Sequence, residues 1–453
     1  MFGEILQKFA EKSPITVMVR GLLEHLLDAK KIDRWFDTVR QVQYTKEILF
    51  SSIVSLMLQV VCKIRPSVHS AYRDSEIGAS VVAVYDKLKG IETTTSQALV
   101  RQVASESESI IKNLQGTNLP LLPGYRVKFL DGNCIEATEH RLKVLRDTRA
   151  GALPGKSLVV FDAELGIALD VFPCEDGHAQ ERALLTDVSA TIRSRDVWVA
   201  DRNFCVLSFL FNLHRQPAFF VIRQHQKTPY KPLTSLEFVK KSATGEVFEQ
   251  RVRLTAPTGE TLTARRVVIQ LEKPTRNGDQ FVVLLTNLAN EAADALTVSE
   301  LYRKRWGIET AFQKLESHLH SEINTLGYPK AALFGFCLAL VAFNLYAIVM
   351  AALRSSHRDR DINAEVSEYY IAGEIARTYT GMVIAIPETD WTIFAQASRA
   401  ELSDILLSLA AKTDLSKFKK NKRGQKKPPT PRNKFKGHPH VSTARLLAST
   451  STG

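Results

Sequence analysis

Three acidic residues stand where an enzyme acting on phosphate esters would need them. Asp131 closes the apolar run YRVKFLD, Asp201 closes DVWVAD, and Glu309 sits within YRKRWGIETAFQKLE. The first two runs read as strands that end at their acids, and ligand sites of open sheets lie at strand ends. If the two strands are neighbours, their carboxylates repel unless a divalent cation lies between them. Mg²⁺ suits the pair, being hard, oxygen-seeking and able to keep waters and phosphate oxygens; Mn²⁺ is a workable substitute. A third carboxylate from Glu309 makes a set able to hold two metals roughly 4 Å apart. One would activate a water or 3′-hydroxyl and the other would steady the leaving oxygen of a phosphodiester.

Tyr302, Arg305 and Glu309 fall at i, i+3 and i+7, a spacing that puts all three on one helix face. The phenol and guanidinium would then grip flanking phosphates, with arginine forking onto two oxygens. Singly, none of these residues says much. An Asp after a strand is most often a turn residue, and a lone helical Glu faces solvent. Asp162 in the DAELG turn, Asp170 in a strand, and Glu136 and Glu139 beyond Asp131 are competing carboxylates.

Bringing the three acids together asks for a particular order of elements. From residue 121 the chain reads βββαβαβ. YRVKFLDGN is followed by SLVVFDAELGIALDVFP (two strands about a tight turn), the amphipathic helix HAQERALLTDVSATIRS, the buried strand DVWVADRNF, the helix CVLSFLFNLHRQ and the strand AFFVIRQ. The expected fold class is therefore α/β, a mixed sheet with flanking helices. Residues 1–120 read as a helical, DNA-binding domain, 121–230 as the first part of the core, and 231–290 as a block of strands without helix. Residues 291–355 carry the Glu309 helix and a second, apolar helix, and 356–453 form a helical region with a basic tail. Within the first domain, AVYDKLKGIETTTSQALVRQVASESESIIKNL has the form of a helix-turn-helix, with Arg101 near the start of the second helix as a DNA contact. Any two packed helices share that form.

FLDGNCIEATEHRL, WVADRNF and LYRKRWGIETAF resemble, in order, the three catalytic boxes of the DDE transposases of bacterial insertion sequences, and the insertion-sequence-four family in particular. LPGKSLVVFDAELGIALDVFPCEDGHAQER and VVLLTNLANEAADALTVSELYRKRWGIE resemble that family's connecting sequence, so the likeness spans roughly residues 120–350. It implies an RNase H-like catalytic domain, interrupted by a β-rich insertion between the second Asp and the Glu. It also implies Mg²⁺-dependent cleavage at terminal inverted repeats followed by cut-and-paste strand transfer. Asp131, Asp201 and Glu309 match the triad, and Tyr302 and Arg305 the accessory pair. The partners implied are double-stranded DNA, at the element's ends and at the target, and a second copy of the chain on that DNA. The place implied is the bacterial cytoplasm, at the nucleoid. Arg202, next to Asp201, is a further candidate DNA contact. The sequence departs from the family at one point: a Lys is expected seven residues after the Glu, where this chain has Glu316, and Lys314 is the nearest substitute.

The formal charge of +12 agrees with an anionic partner. Much of it lies between Lys417 and Lys436, which hold ten Lys or Arg and no acid, with Lys419, Lys420, Lys422 and Arg423 as candidate phosphate contacts. Five scattered cysteines without CxxC spacing argue against a disulfide framework and a structural zinc site, and the first residues lack the apolar core of a signal peptide. AALFGFCLALVAFNLYAIVMAAL is long enough to span a bilayer, but Asn344 near its middle favours a helix buried in a protein core. Two other readings share the same residues: a stand-alone RNase H-like nuclease, and a transposase-derived DNA-binding protein that has lost catalysis.

Overall fold

The computed structural model describes residues 2–43, 47–136, 138, 142–146, 148–275, 278–421 and 439–451. Its strands are β1 (Arg126–Ile135), β2 (Gly151–Leu153), β3 (Gly155–Asp162), β4 (Ile167–Cys174), β5 (Asp196–Ala200), β6 (Phe219–Arg223), β7 (Lys231–Pro232), β8 (Glu237–Lys241), β9 (Gly245–Thr255), β10 (Thr261–Leu271), β11 (Phe281–Thr286) and β12 (His440–Ser442). The main sheet runs β4-β3-β1-β5-β6-β11-β10-β9-β7, with β8 also on β9, while β12 and β2 form a separate pair.

The strands from β4 to β6 have the RNase H-like arrangement. β4, β3 and β1 are antiparallel neighbours, and β1, β5 and β6 are parallel. The β1–β5 ladder stops at the pair Leu130–Ala200, so Asp131 and Asp201 follow at the same end of it; β1 itself does not end at Asp131, as the sequence suggested, but runs on to Ile135 against β3. Adjacency, the one condition that the sequence could state but not meet, is thus satisfied. The strand-rich block does not stand apart: β11 pairs antiparallel with β6 and carries β10 and β9 onward in the same sheet.

Strand alternation sends side chains to two separate layers. Phe129, Val197, Val199, Val221, Val247 and Val267 belong to one apolar cluster with the helices Ala295–Lys304, Trp306–Ser317 and Pro329–Ser356. Leu130, Trp198, Ala200, Phe220 and Val252 face the other way, onto the helix Leu207–Arg215. Asp131 follows the alternation of Phe129 and faces the first layer.

The apolar helix Pro329–Ser356 explains most of the remaining architecture. It is long and apolar enough to cross a membrane, yet every residue from Ala331 to Leu353 is buried within the chain. It packs on the N-terminal helices Phe50–Val61 and Thr93–Asn113 as well as on β4, so those helices share its core. Asn344, fully buried, meets the main chain of β4 twice: its Nδ2 donates to the Ala168 carbonyl at 2.9 Å and its Oδ1 accepts from the Ala168 N–H at 2.8 Å. β4 needs this. Its register with β3 slips between Val160 and Phe161, leaving Leu169 as the extra residue of a bulge, and on its other side β4 is the edge of the sheet. The polar residue that marks the apolar run is therefore an edge-strand clamp.

Candidate active site

Arg305 is where the expected single helix breaks. Ala295–Lys304 and Trp306–Ser317 meet at this residue, and the joint is wound by bonds of three-residue span: Arg305 N–H to the Tyr302 carbonyl and Ile308 N–H to the Arg305 carbonyl, each 3.0 Å. The first of the two helices is capped by Asp294, whose side chain accepts from the Thr297 N–H.

From the joint the Arg305 guanidinium forks between two of the three acids. Nη1 donates to Asp131 Oδ2 at 2.7 Å and Nη2 to Glu309 Oε1 at 2.8 Å, while the buried Nε has no acceptor. Tyr302 lies beneath it, with the guanidinium 5.7 Å from its ring centroid. Burial works against the charge on Arg305, but Asp131, Tyr302 and Glu309 outweigh it and its pKa ends above the ordinary value. Burial also pushes the Tyr302 phenol up, against the pull of Arg305 and Arg223.

Asp131 carries the strongest electrostatic signature of the three. Burial raises its carboxyl to about 6; Arg305 and the Gly132 N–H pull it down, and the charges of Asp201 and Glu309 push it up. The three acids, from segments far apart in sequence, thus act on one another in one place. Asp201 starts a short turn, and its Oδ1 accepts from the Asn203 N–H at 2.6 Å, which gives Asn203 the turn-shaping part.

The donor set suits a hard divalent cation: oxygen only, like-charged and mutually coupled. Among the described residues no three ligands already stand together as a metal cage. The Arg305 guanidinium lies between Asp131 and Glu309, so a cation held by both carboxylates would require at least one of its two bonds to open.

The other candidates are placed as follows. Arg202 is exposed beside Asp201. Lys314 bonds Glu368 at 2.5 Å on a different side of the helix from Glu309. It lines a cavity of about 230 Å³ with Arg354 and Lys420, while Glu316 is exposed. Lys420 donates to the Asn363 carbonyl, and Lys419 forms a β-bridge with Val366. Arg101 pairs with Asp170 of β4 at 2.8 Å, and Ser96 and Gln97 of the same helix are buried and bonded to Asp170 respectively, so the start of that helix faces the sheet. Lys422, Arg423 and Glu139 lie outside the described residues. Asp162 closes its hairpin turn, accepting from Glu164 and Leu165 N–H, and pairs with Arg126.

One residue near the site escaped the sequence reading. Glu181 Oε2 accepts from Asn203 Nδ2 at 3.0 Å, and its Oε1 lies 2.2 Å from where a Cβ on Gly132 would be. Glu181 therefore braces the Asp201 turn while packing against the backbone just after Asp131. The available signal was Gly132 itself, since a glycine inside a strand marks close approach of another group.

Residues 122–345 match the family model described as the transposase DDE domain, a segment that contains Asp131, Asp201 and Glu309. The match supports a DDE transposase, and with it action on DNA; enzymes of this kind generally use divalent metals. No curated protein matches the chain.

Proposed function

We propose that the protein is the cut-and-paste transposase of a bacterial insertion sequence of the insertion-sequence-four type, with Asp131, Asp201 and Glu309 as its catalytic carboxylates. The observation that carries this reading is the Arg305 fork: a guanidinium held between Asp131 and Glu309, with the Asp201 charge felt at the same carboxyl. Asp131, Asp201 and Glu309 would hold Mg²⁺, two ions at full occupancy, with Mn²⁺ able to substitute. When bound, the metal supplies a polarised phosphoryl oxygen and a more acidic nucleophile. Arg305, released from a carboxylate, turns its fork and its unpaired Nε toward a phosphate, and Tyr302 holds the guanidinium flat. Glu181 and Asn203 keep the Asp201 turn in place. Such a protein would work as a dimer on two element ends, in the cytoplasm at the nucleoid.

The test is a cleavage assay with Mg²⁺ on duplexes that carry the inverted repeats bordering the gene. Cutting at the repeat ends and joining to a second duplex is the expected result. Cutting that ignores the repeats would replace the transposase with a nuclease, and repeat binding without cutting would leave a DNA-binding protein.

A further inference from the structure

The layer that holds the three acids does not stop at the helices that cover it. β9 pairs with β10 without a register break, so Arg251 and Arg253 face the same side as Val247, which belongs to the cluster under Ala295–Lys304 and Trp306–Ser317. Beyond those helices the sheet is uncovered. Here Arg251, Arg253 and Lys231 are all exposed, and Lys231 stands directly opposite Arg253 in the β7–β9 register. Thr255, Thr261 and Thr263, also exposed, are on the same face.

Like charges directly opposite each other destabilise a strand pair. Among the described residues no acid forms an ion pair with any of the three. By contrast, Arg265, next inward on this face, pairs with Glu249, and Arg215 at the other face pairs with Glu260. Edge strands often carry cations to repel other chains, but β9 has β10 on one side and β7 and β8 on the other. That explanation covers Lys231, on the outermost strand β7, but not the two arginines of β9.

We infer that the outer face of β7 and β9, through Lys231, Arg251 and Arg253, is a docking shelf for the phosphate backbone of duplex DNA. The charge and the hydroxyl-bearing threonines suit phosphate oxygens, and among the described residues no helix stands out from this face to enter a groove, so the contact is independent of base sequence. The path is continuous with the acids: five strand steps separate β1 from β9, roughly 24 Å at about 4.8 Å per step, or roughly seven base pairs of duplex. The inference rests on the DNA-acting reading above and adds where the duplex runs.

The experiment measures binding of the full chain to a 30-base-pair duplex of mixed sequence by fluorescence anisotropy over a salt series. The shelf variant carries Lys231→Thr, Arg251→Thr and Arg253→Thr, and the control removes three exposed cations elsewhere with Lys12→Ala, Lys30→Ala and Arg34→Ala. The shelf variant should bind at least roughly tenfold more weakly near 0.1 M salt, with a slope of log K against log salt shallower by about 2 to 3. The control should stay within about threefold of wild type, its three cations lying on the helices Glu4–Lys12 and Ala29–Val39 and not on the sheet, and unchanged far-ultraviolet circular dichroism certifies the fold of both. A shelf variant that binds as the control does, including one whose shelf serves an acidic protein instead, would overturn the shelf while leaving the transposase reading intact. A wild-type chain that bound no DNA would overturn both.

Discussion

β5 is buried at all five of its residues, whereas β9 alternates buried and exposed positions along most of its length. The two belong to one sheet. β5 is covered on both faces and β9 on one, and the sequences record it: DVWVA is nearly continuous in apolar residues, while EQRVRLT alternates. The covered half fixes where Asp131 and Asp201 emerge. The half-covered part has a free face, and that face is where unpaired cations collect. In the proposed reading, chemistry and docking are divided between strands that differ in burial rather than in fold.

The largest expected effect lies in the covered half. Glu309→Gln should lower DNA cleavage by roughly 10³-fold or more, while thermal stability changes little, because Glu309 is 48% exposed and its ion pair contributes weakly. A large fall in melting temperature instead would make Glu309 a structural residue and blur the division. Next is Asp196→Ala. Lys128 and Asp196 form a buried pair at 2.6 Å beneath β1 and β5, and loss of the acid strands an ammonium in the core, at about 3–5 kcal/mol in a denaturant titration. Asn344→Leu should cost roughly 2–4 kcal/mol by the same measure, since it leaves the Ala168 N–H and carbonyl without partners.

The smallest effect is one of pH. Asp131 titrates at about 6 in the fold, above 3.8 for an ordinary aspartate. Between these values the folded chain keeps a proton that the unfolded chain has lost, so stability should fall as pH rises from about 4 to about 6 and Asp131 should contribute no further change above that. Mg²⁺ added above pH 7 should raise the melting temperature of wild type but not of Asp131→Asn. An equal rise in both would place the cation elsewhere.

The strand order and the end of β5 were legible because apolar periodicity is local, and the acids were legible because they stop the apolar runs; the end of β1 was not, since Gly132 to Ile135 stay in the strand through pairing with β3. The block 231–290 was recognisable as strands, but its continuation of the core sheet was not, since pairing of β11 with β6 depends on contacts that no local pattern encodes. The break at Arg305 had one local mark, Gly307, a poor helix former, while the ion pair to Asp131 that holds the joint is tertiary and no local pattern encodes it. Arg101 and Lys314 read as free cations because their partners, Asp170 and Glu368, lie in other elements. Glu181 had no signature except the glycine it packs against.

The long buried helix also governs the order in which the chain can fold. Phe50 stacks near Phe334, 6.1 Å between ring centroids, so an apolar helix made early is covered by one made late. During synthesis the helix Phe50–Val61 is covered only in part, by Phe36 and Trp35 of Ala29–Val39, until residues beyond 329 leave the ribosome, and Asn344 cannot close the bulge of β4 before then. Contacts of such separation slow folding and leave apolar surface exposed meanwhile. A chain stopped short of residue 329 therefore leaves the face of Phe50–Val61 that meets Pro329–Ser356 open to water.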